Sequence, residues 1–305
     1  MLDGVSLDQL KAFIAAVDEG SFSGAGRKLL RAQSVISDMV ATLEGQIGVQ
    51  LFDRAGRYPK LTPQGDILLG DARKIVSTVD FMKARARGMS EGLEPELSAV
   101  VEVLFPIDVV ANAAKAFSGQ FPGTPLRLYV DALGGVLQLV LDGSASFGVI
   151  GPVAAIPPHM TTEPLTDVPF VLVASSDHPL ALYKGVIPRS ELTKHVQLVL
   201  TDRTNLSAGK DAGVLSPSTW RLTDLYAKHA FLLKGLGWGG MPLHAVQADL
   251  DAEKLVRLRV EGKPTEGMSV PHSAVYPTST PPGPAGRWLI ERLKVHASLE
   301  PAIAG

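Results

Sequence analysis

The chain has 305 residues, of which 46% are hydrophobic and 20% charged, with a formal net charge of −2. That length holds two or three folded units with a sizeable core in at least one of them, and the composition excludes a disordered or uniformly basic protein. No cysteine occurs, which excludes disulfides, thiol nucleophiles and cysteine-based zinc sites; charged residues break up the N-terminal stretch and no long apolar run follows, so a protein without signal peptide or membrane span, in the cytoplasm, is expected.

Residues 1–62 read as short helices and turns. Leu7, Leu10, Phe13, Ile14 and Val17 recur at helical spacing, and Gly20 is placed to end that helix with a left-handed cap. Ser23 is a candidate cap for a second helix running to about Leu30. A third helix is predicted over Gln33–Ile47, where Ile36, Val40 and Leu43 fall at i, i+4 and i+7 and define one buried face. LFDRAGRYPKLT (51–62) then predicts a two-stranded ribbon with Ala55 and Gly56 in its turn.

Thr62-Pro63 is a helix start, a capping hydroxyl followed by proline at the first helical position. From there the apolar positions Leu68, Ala72, Ile75, Val79, Met82, Ala86 and Met89 are spaced 4, 3, 4, 3, 4, 3. Such a period suits a coiled-coil seam between two copies. An amphipathic helix lying on its own domain is the alternative. SEGLEPEL (90–97) predicts a hinge. After Leu97, LSAVVEVLF, LRLYV, FGVIG, FVLVASS and VQLVL read as strands and GVLQLVLDG as a helix, which predicts parallel sheets flanked by helices. This α/β region is large enough for two subdomains, and the proline-rich PTSTPPGPAG (277–286) precedes a last helix.

The second and third helices have the makings of a helix-turn-helix. A close crossing needs small residues, which Gly24, Ala25 and Gly26 supply, and the third helix must send polar side chains outward from its N-terminal half. Arg31, Gln33, Ser34, Val35, Ser37 and Asp38, with Ser23 beside them, are the candidate DNA-reading set. Gln bonds adenine edges, Ser bonds bases or phosphate, and Val35 suits a thymine methyl. Arg54, Arg57 and Lys60 sit in the ribbon as a phosphate-gripping wing would. Between Gly24 and Lys60 six bases meet three acids, a local patch in a balanced chain. A three-helix packing module with a solvated polar face is the alternative.

LDQLKAFIAAVDEGSFSGAGRKLLRAQSVISDMVATLEGQIGVQLFDRAGRYPKLTPQGDILL closely resembles the N-terminal domain of LysR-type transcriptional regulators. The matching elements are GSFS, the small residues before RKL, QSVIS, LE.Q.GV.LFDR and LTP.G. The resemblance continues more weakly through FPGTPLRLYV, SSDHPLA (175–181) and GLGWGGMP (235–242). It implies a multi-domain chain: an all-α winged helix-turn-helix domain (1–62), a dimerising linker helix (63–91) and a two-lobed, periplasmic-binding-protein-like α/β effector domain (92–305). Lobe I would span about 97–162 and 269–305, and lobe II about 163–268. Implied partners are double-stranded DNA, a small-molecule effector and further copies of the chain as dimer or tetramer, with no cofactor, metal or catalytic residue. Two departures stand out. Asp38 and Met39 occupy positions where members often carry Gln or Arg, with Ala41 commonly basic, and Ser146 stands where Asp is usual. Asp38 repels phosphate but accepts from a cytosine amino group.

Enzyme-like patterns are weak. Gly235, Gly237 and Gly240 formally match G-x-G-x-x-G, yet they follow a helical stretch and Pro242 blocks a helix from opening on them. Ser207 and Lys210 match S-x-x-K without a K-T-G partner. The seven histidines show no metal-ligand spacing, and His178 in the DHPL turn reads as structural. With no convergent nucleophile, base and orienting group, an α/β enzyme is disfavoured; a DNA-binding repressor whose C-terminal part only oligomerises is a further alternative. An effector would sit at the C-terminal ends of strands, at Leu104-Phe105-Pro106, Leu133-Gly134, Gly151-Pro152 and Thr201-Asp202-Arg203. The candidate contacts are Leu104, Phe105, Leu133, Gly151, Thr201, Asp202 and Arg203, with Trp238 either core or cleft wall. Apolar walls facing one guanidinium suit a small, largely apolar or aromatic molecule with an anionic or strongly accepting group.

Overall fold

A computed structural model describes residues 4–53, 59–90, 92–152, 156–204, 206, 213–264 and 267–299. It divides into two units, Met1–Arg87 and Gly88–Gly305. Among the described residues no helix is long and apolar enough to cross a membrane.

The first unit holds α1 (Leu7–Asp18), α2 (Phe22–Leu29), α3 (Gln33–Ile47), an antiparallel ribbon of β1 (Phe52–Asp53) and β2 (Lys60–Leu61), and α4 (Pro63–Ser90). The Ser6 hydroxyl accepts from the Gln9 amide while the Gln9 side chain accepts from the Ser6 amide, a reciprocal cap on α1. The cap of α2 is Ser21, not Ser23: its hydroxyl accepts from the Gly24 amide at 3.0 Å. A cap residue lies just outside the helix, and α2 begins earlier than a cap at Ser23 would allow. At Gly26 a Cβ would stand 2.7 Å from the Arg31 carbonyl oxygen, so the chain turns from α2 into α3 only over a bare Cα.

Leu30 ends α2 in a left-handed conformation at φ 55° and is 92% exposed. That backbone costs a leucine about 1 kcal/mol, and burial returns nothing. Leu30→Gly should therefore raise the stability of this unit by about 1 kcal/mol in a denaturation curve; a loss of stability would contradict the strain.

The core of the unit comprises Leu10, Phe13, Ile36, Val40, Leu43, Leu51 and Phe52 among others. The Phe52 ring meets Phe13 and Phe22 edge-on at centroid distances of 5.6 and 5.4 Å. Glu44 is buried in this setting because its carboxylate accepts from the Leu51 and Phe52 amides, at 2.8 and 3.1 Å, and so pins the ribbon to α3. Thr62 caps α4 through the Gly65 amide at 2.9 Å. The apolar stripe of α4 then divides. Leu69 and Ala72 enter the unit's own core with Leu68 and Val76 packed against it, whereas Ile75, Met82 and Met89 are 48%, 62% and 54% exposed.

The second unit runs β3 (Leu97–Glu102), α5 (Ile107–Gln120), β4 (Leu126–Asp131), α6 (Gly134–Leu141), β5 (Phe147–Ile150), β6 (Met160–Ser175), α7 (Arg189–Leu192), β7 (Gln197–Leu200), β8 (Thr219–Leu222), α8 (Leu225–Leu233), β9 (Trp238–Pro242), α9 (Leu243–Asp251), β10 (Leu255–Arg257), β11 (Met268–Pro277) and α10 (Pro284–Leu299). The strands follow the order β4-β3-β5-β11-β6-β9-β7-β8, with β10 beside β6. The sheet is mixed rather than parallel. β3 is parallel to β4 and β5, and β7 to β8 and β9, but β6 and β11 are antiparallel to their neighbours. The second half of β6 is the strand expected from FVLVASS, whereas its first half and β11 escape a sequence reading because Pro164, Pro169 and Pro271 cannot donate to a ladder and argue against strands.

These two strands connect the halves of the unit. The end of β11 pairs with β5 in lobe I, the end of β6 pairs with β9 and β10 in lobe II, and the register between them slips at His272/Ser273. Lobe I packs α5 and α10 on its strands around Phe117, Phe147 and Leu289, and α6 in a second cluster with Val100, Ile150 and Val275; lobe II packs α8 and α9 around Leu198, Leu232 and Met241.

Lobe I also carries a surface network in which Glu163 accepts from Tyr276, Arg287 and Lys294. Arg287 above all, then the other donors, holds the Glu163 carboxyl at about 2 against an ordinary 4.5. A carboxyl depressed by folding stabilises the native state above about pH 4.5 and loses that contribution as pH falls towards 2. We expect about 1–2 kcal/mol from it after solvent screening. Melting curves of Glu163→Gln and the parent should accordingly converge as pH drops from 5 to 2, and an unchanged gap would contradict the assignment.

Candidate nucleic-acid interface and interlobe cleft

The outward face of α3 gathers most of the sequence-predicted set. Gln33, Ser34, Val35 and Asp38 are exposed, Ser37 is half-buried, and Ile36, Val40 and Leu43 are buried on the opposite face. The N-cap residue is Ala32, and no side chain caps the helix, which leaves first-turn amides to a partner from outside. Amides at a helix N-terminus favour an anion. Arg31 is exposed and lies 3.8 Å from Asp8. Ser23 is exposed and accepts from the Arg27 guanidinium at 3.1 Å. Lys28 is drawn to Glu19 and Asp18, at 3.0 and 3.7 Å, so the basic patch is narrower than its charge count. Lys60 is exposed on β2, while Arg54, Arg57 and the Ala55-Gly56 turn lie outside the described residues. Glu44 escaped the sequence reading. Its signal is an acid four residues after Val40 on the apolar face of α3.

In the second unit the predicted strand ends meet between the lobes. Asp202, after β7, reaches into lobe I, where its Oδ2 accepts from the Gly134 amide at 2.6 Å; Oδ1 accepts from the Thr204 amide and hydroxyl. It caps α6 in place of Leu133, which makes no side-chain cap and holds φ at 47°. Leu104 belongs to lobe I in sequence but is buried among Val171, Leu198, Leu225 and Met241 of lobe II. Phe105 turns the other way, into the lobe I core, with its ring 5.6 Å from that of His272. Thr201 is half-buried and Arg203 is exposed. Trp238 is fully buried in the lobe II core. The Gly151 amide donates to the Glu102 carboxylate.

Three buried ionisable groups here were not anticipated. Glu102 ends β3, His272 lies at the slip in β11, and Lys228 on α8 donates to the Gly240 carbonyl at 2.7 Å. Burial pushes Lys228 down to about 8. Each sits in a run that is otherwise apolar or strand-like, where a lone charge is the only signal. His244 at the start of α9 is held below the ordinary imidazole value, first by the protein packed around it and then by His272, with Asp108 opposing. Ser146 meets Ser98 across the strands, hydroxyl to hydroxyl at 3.4 Å.

The enzyme-like patterns dissolve in the fold. Gly239 and Gly240 lie within β9, and α9 opens only after Pro242, so no helix starts on the glycine run. Ser207 and Lys210 lie outside the described residues. His178 accepts from the Leu180 amide at 3.2 Å and packs on His195, which fits a turn-forming role.

Comparison with known proteins gives matches to two family models. Residues 7–66 match the bacterial regulatory helix-turn-helix protein, lysR family, and residues 90–298 match the LysR substrate binding domain. The chain is 30% identical over 259 residues to the HTH-type transcriptional regulator YeeY of Escherichia coli (strain K12), covering 83% of each chain. It is 27% identical to the HTH-type transcriptional activator AllS of Salmonella paratyphi A, covering 98% of this chain and 96% of that one. Among solved structures, a mutant OxyR from Corynebacterium glutamicum superposes with a TM-score of 0.56 at 21% identity over 98% of both chains.

Proposed function

The chain belongs to the LysR family of bacterial helix-turn-helix transcriptional regulators, not to an enzyme family, and from that premise we propose how its parts divide the work. Residues 1–62 read DNA, 63–91 join two copies, and 92–305 sense a small molecule. The observation that carries the reading is the division of α3 into an exposed polar face and a buried apolar one, with an N-terminus that no side chain caps. Amides there meet phosphate. Gln33, Ser34, Val35 and Asp38 face base edges in the major groove, Ser37 supports them, and Arg31, Ser23, Arg54 and Arg57 hold the backbone. A protein that acts on the chromosome of a bacterium works in the cytoplasm.

The effector enters between the lobes. Closing or opening about β6 and β11 changes the angle between lobes, and the 90–97 segment carries that change towards α4, which sets the spacing of two α3 helices in a dimer or in a tetramer of dimers. The effector is small and meets Leu133, Thr201 and Asp202, which are partly open at the strand ends, whereas Leu104, Phe105 and Gly151 are buried there and do not line the site as expected. An anionic group on it requires Arg203 to turn inward from its exposed position.

Selection of binding sites by the parent, Ser34→Ala and Asp38→Ala proteins tests the reading. Each variant should change the preferred base at one position per half-site, by roughly 1–3 kcal/mol of discrimination, with little change in salt dependence. If both select the parental site unchanged, α3 is not the reader.

A further inference from the structure

A helix of lobe I is completed by a carboxylate of lobe II. We propose that Asp202 is an interlobe latch, holding the two lobes at one angle until its bond to α6 is broken. The proposal rests on residues 92–305 being a two-lobed sensing unit whose lobe angle reaches α4.

α6 opens without a cap from its own lobe. The N-cap residue is Leu133, whose side chain accepts nothing and whose backbone stands at φ 47° and ψ −119°. A residue with a Cβ is strained there. Asp131, the acid nearest in sequence, accepts from the Ala132 amide, one residue on. The Gly134 amide is met from the other lobe instead, where Asp202 Oδ2 accepts from it at 2.6 Å. The strained turn at Leu133 thus presents the amide that Asp202 takes.

The acceptor is oriented before it reaches across. Asp202 Oδ1 accepts from the Thr204 amide at 2.9 Å and from the Thr204 hydroxyl at 3.1 Å, which fixes the plane of the carboxylate. Thr204 Oγ1 accepts in turn from the Leu206 amide. Fit adds a second constraint. A Cβ on Gly134 would stand 2.7 Å from both Asp202 Oδ2 and Thr204 Oγ1, and 2.9 Å from the Leu206 Cβ. The segment after β7 therefore seats against α6 only because residue 134 is glycine.

A cap supplied within one lobe is indifferent to the angle between lobes, and this one is not. The first amides of a helix have no partner inside it, and Gly134 is buried. Turning the lobes apart about β6 and β11 withdraws Asp202 and leaves that amide without an acceptor, while the carboxylate loses the positive end of the helix. The latched angle is more stable by that difference, and whatever changes the angle must supply it. An effector that reaches Asp202 in the cleft meets the latch itself.

The chain has no cysteine, so a pair of labels can be introduced cleanly. Ser118→Cys on α5 and Lys234→Cys at the end of α8, both exposed, put one spin label on each lobe of the full chain. Without effector, electron–electron double resonance should read one narrow distance in the labelled parent. Asp202→Ala deletes the acceptor and Gly134→Ala fills its seat, so both should move or broaden that distance. The ratio of latched to released protein should fall roughly ten-fold or more. Asp202→Asn offers an oxygen to Gly134 only by turning its own N–H groups on the Thr204 amide, and should fall between.

A parent already spread over several distances, or a distance unmoved in whichever of Asp202→Ala and Gly134→Ala folds, would overturn the latch. Operator titration of the same proteins separates this from the reading beneath it. A distance that moves together with operator affinity supports both. A distance that moves while affinity stays at the parental value keeps the latch and removes the transmission of lobe angle to α4.

Discussion

Glu44→Ala should unfold the first unit under conditions where the parent is folded. Its carboxylate holds the Leu51 and Phe52 amides at 2.8 and 3.1 Å inside the core. Hydrogen bonds to a charged group contribute about 1.5–3 kcal/mol each, and their loss leaves two buried amides without an acceptor. With the void left by the missing side chain, the expected cost is about 3–5 kcal/mol, a large part of the stability of a small domain. Phe52, whose ring closes the cluster with Phe13 and Phe22, would lose its anchor at the same time. Glu44→Gln retains one acceptor oxygen and should fall between the two. Thermal and denaturant unfolding followed by circular dichroism decides it; an alanine variant within about 1 kcal/mol of the parent would contradict the role given to Glu44.

Val79→Asp should separate the copies and with them the operator affinity. Leu69 and Ala72 are spent on the core of their own unit, so the part of α4 left to a partner is Ile75, Val79, Met82, Ala86 and Met89. A carboxylate in the middle of that seam would be buried without a counter-ion, at about 3–5 kcal/mol or more per dimer. That corresponds to at least roughly a hundred-fold weaker association. Two half-sites about one helical turn apart then bind independently, and affinity for the full site should fall by a similar factor. Sedimentation equilibrium and operator titration read the two effects. A variant that stays dimeric with full affinity would place the interface elsewhere.

How much was legible in the chain depended on whether a signal was local. The bounds of α3 follow from Ile36, Val40 and Leu43, and the start of α4 from Thr62 and Pro63, because periodicity and capping act within a few residues. The choice of Ser21 over Ser23 as a cap was not legible, since either hydroxyl suits a helix start and the crossing of α2 on α3 sets where the helix begins. Prolines hid the first half of β6 and all of β11, and with them the mixed sheet and the connection between lobes. The strand ends of the cleft were foreseeable from alternation of strands and helices, but side-chain directions were not. Leu104 and Phe105 are adjacent yet enter the cores of different lobes. Glu102 and His272 lie far apart in sequence and meet only because β11 crosses back beside β5, a pairing no local pattern encodes.

The most direct test of the account is a selection of duplexes from a random-sequence library by the full chain, followed by titration of the enriched site at several salt concentrations. We expect a partly two-fold symmetric site whose half-sites lie about one helical turn apart, and an affinity falling steeply and linearly in log–log form as salt rises. Recovery of no common site, or retention that does not respond to salt, would contradict the reading of α3 as a DNA-binding helix.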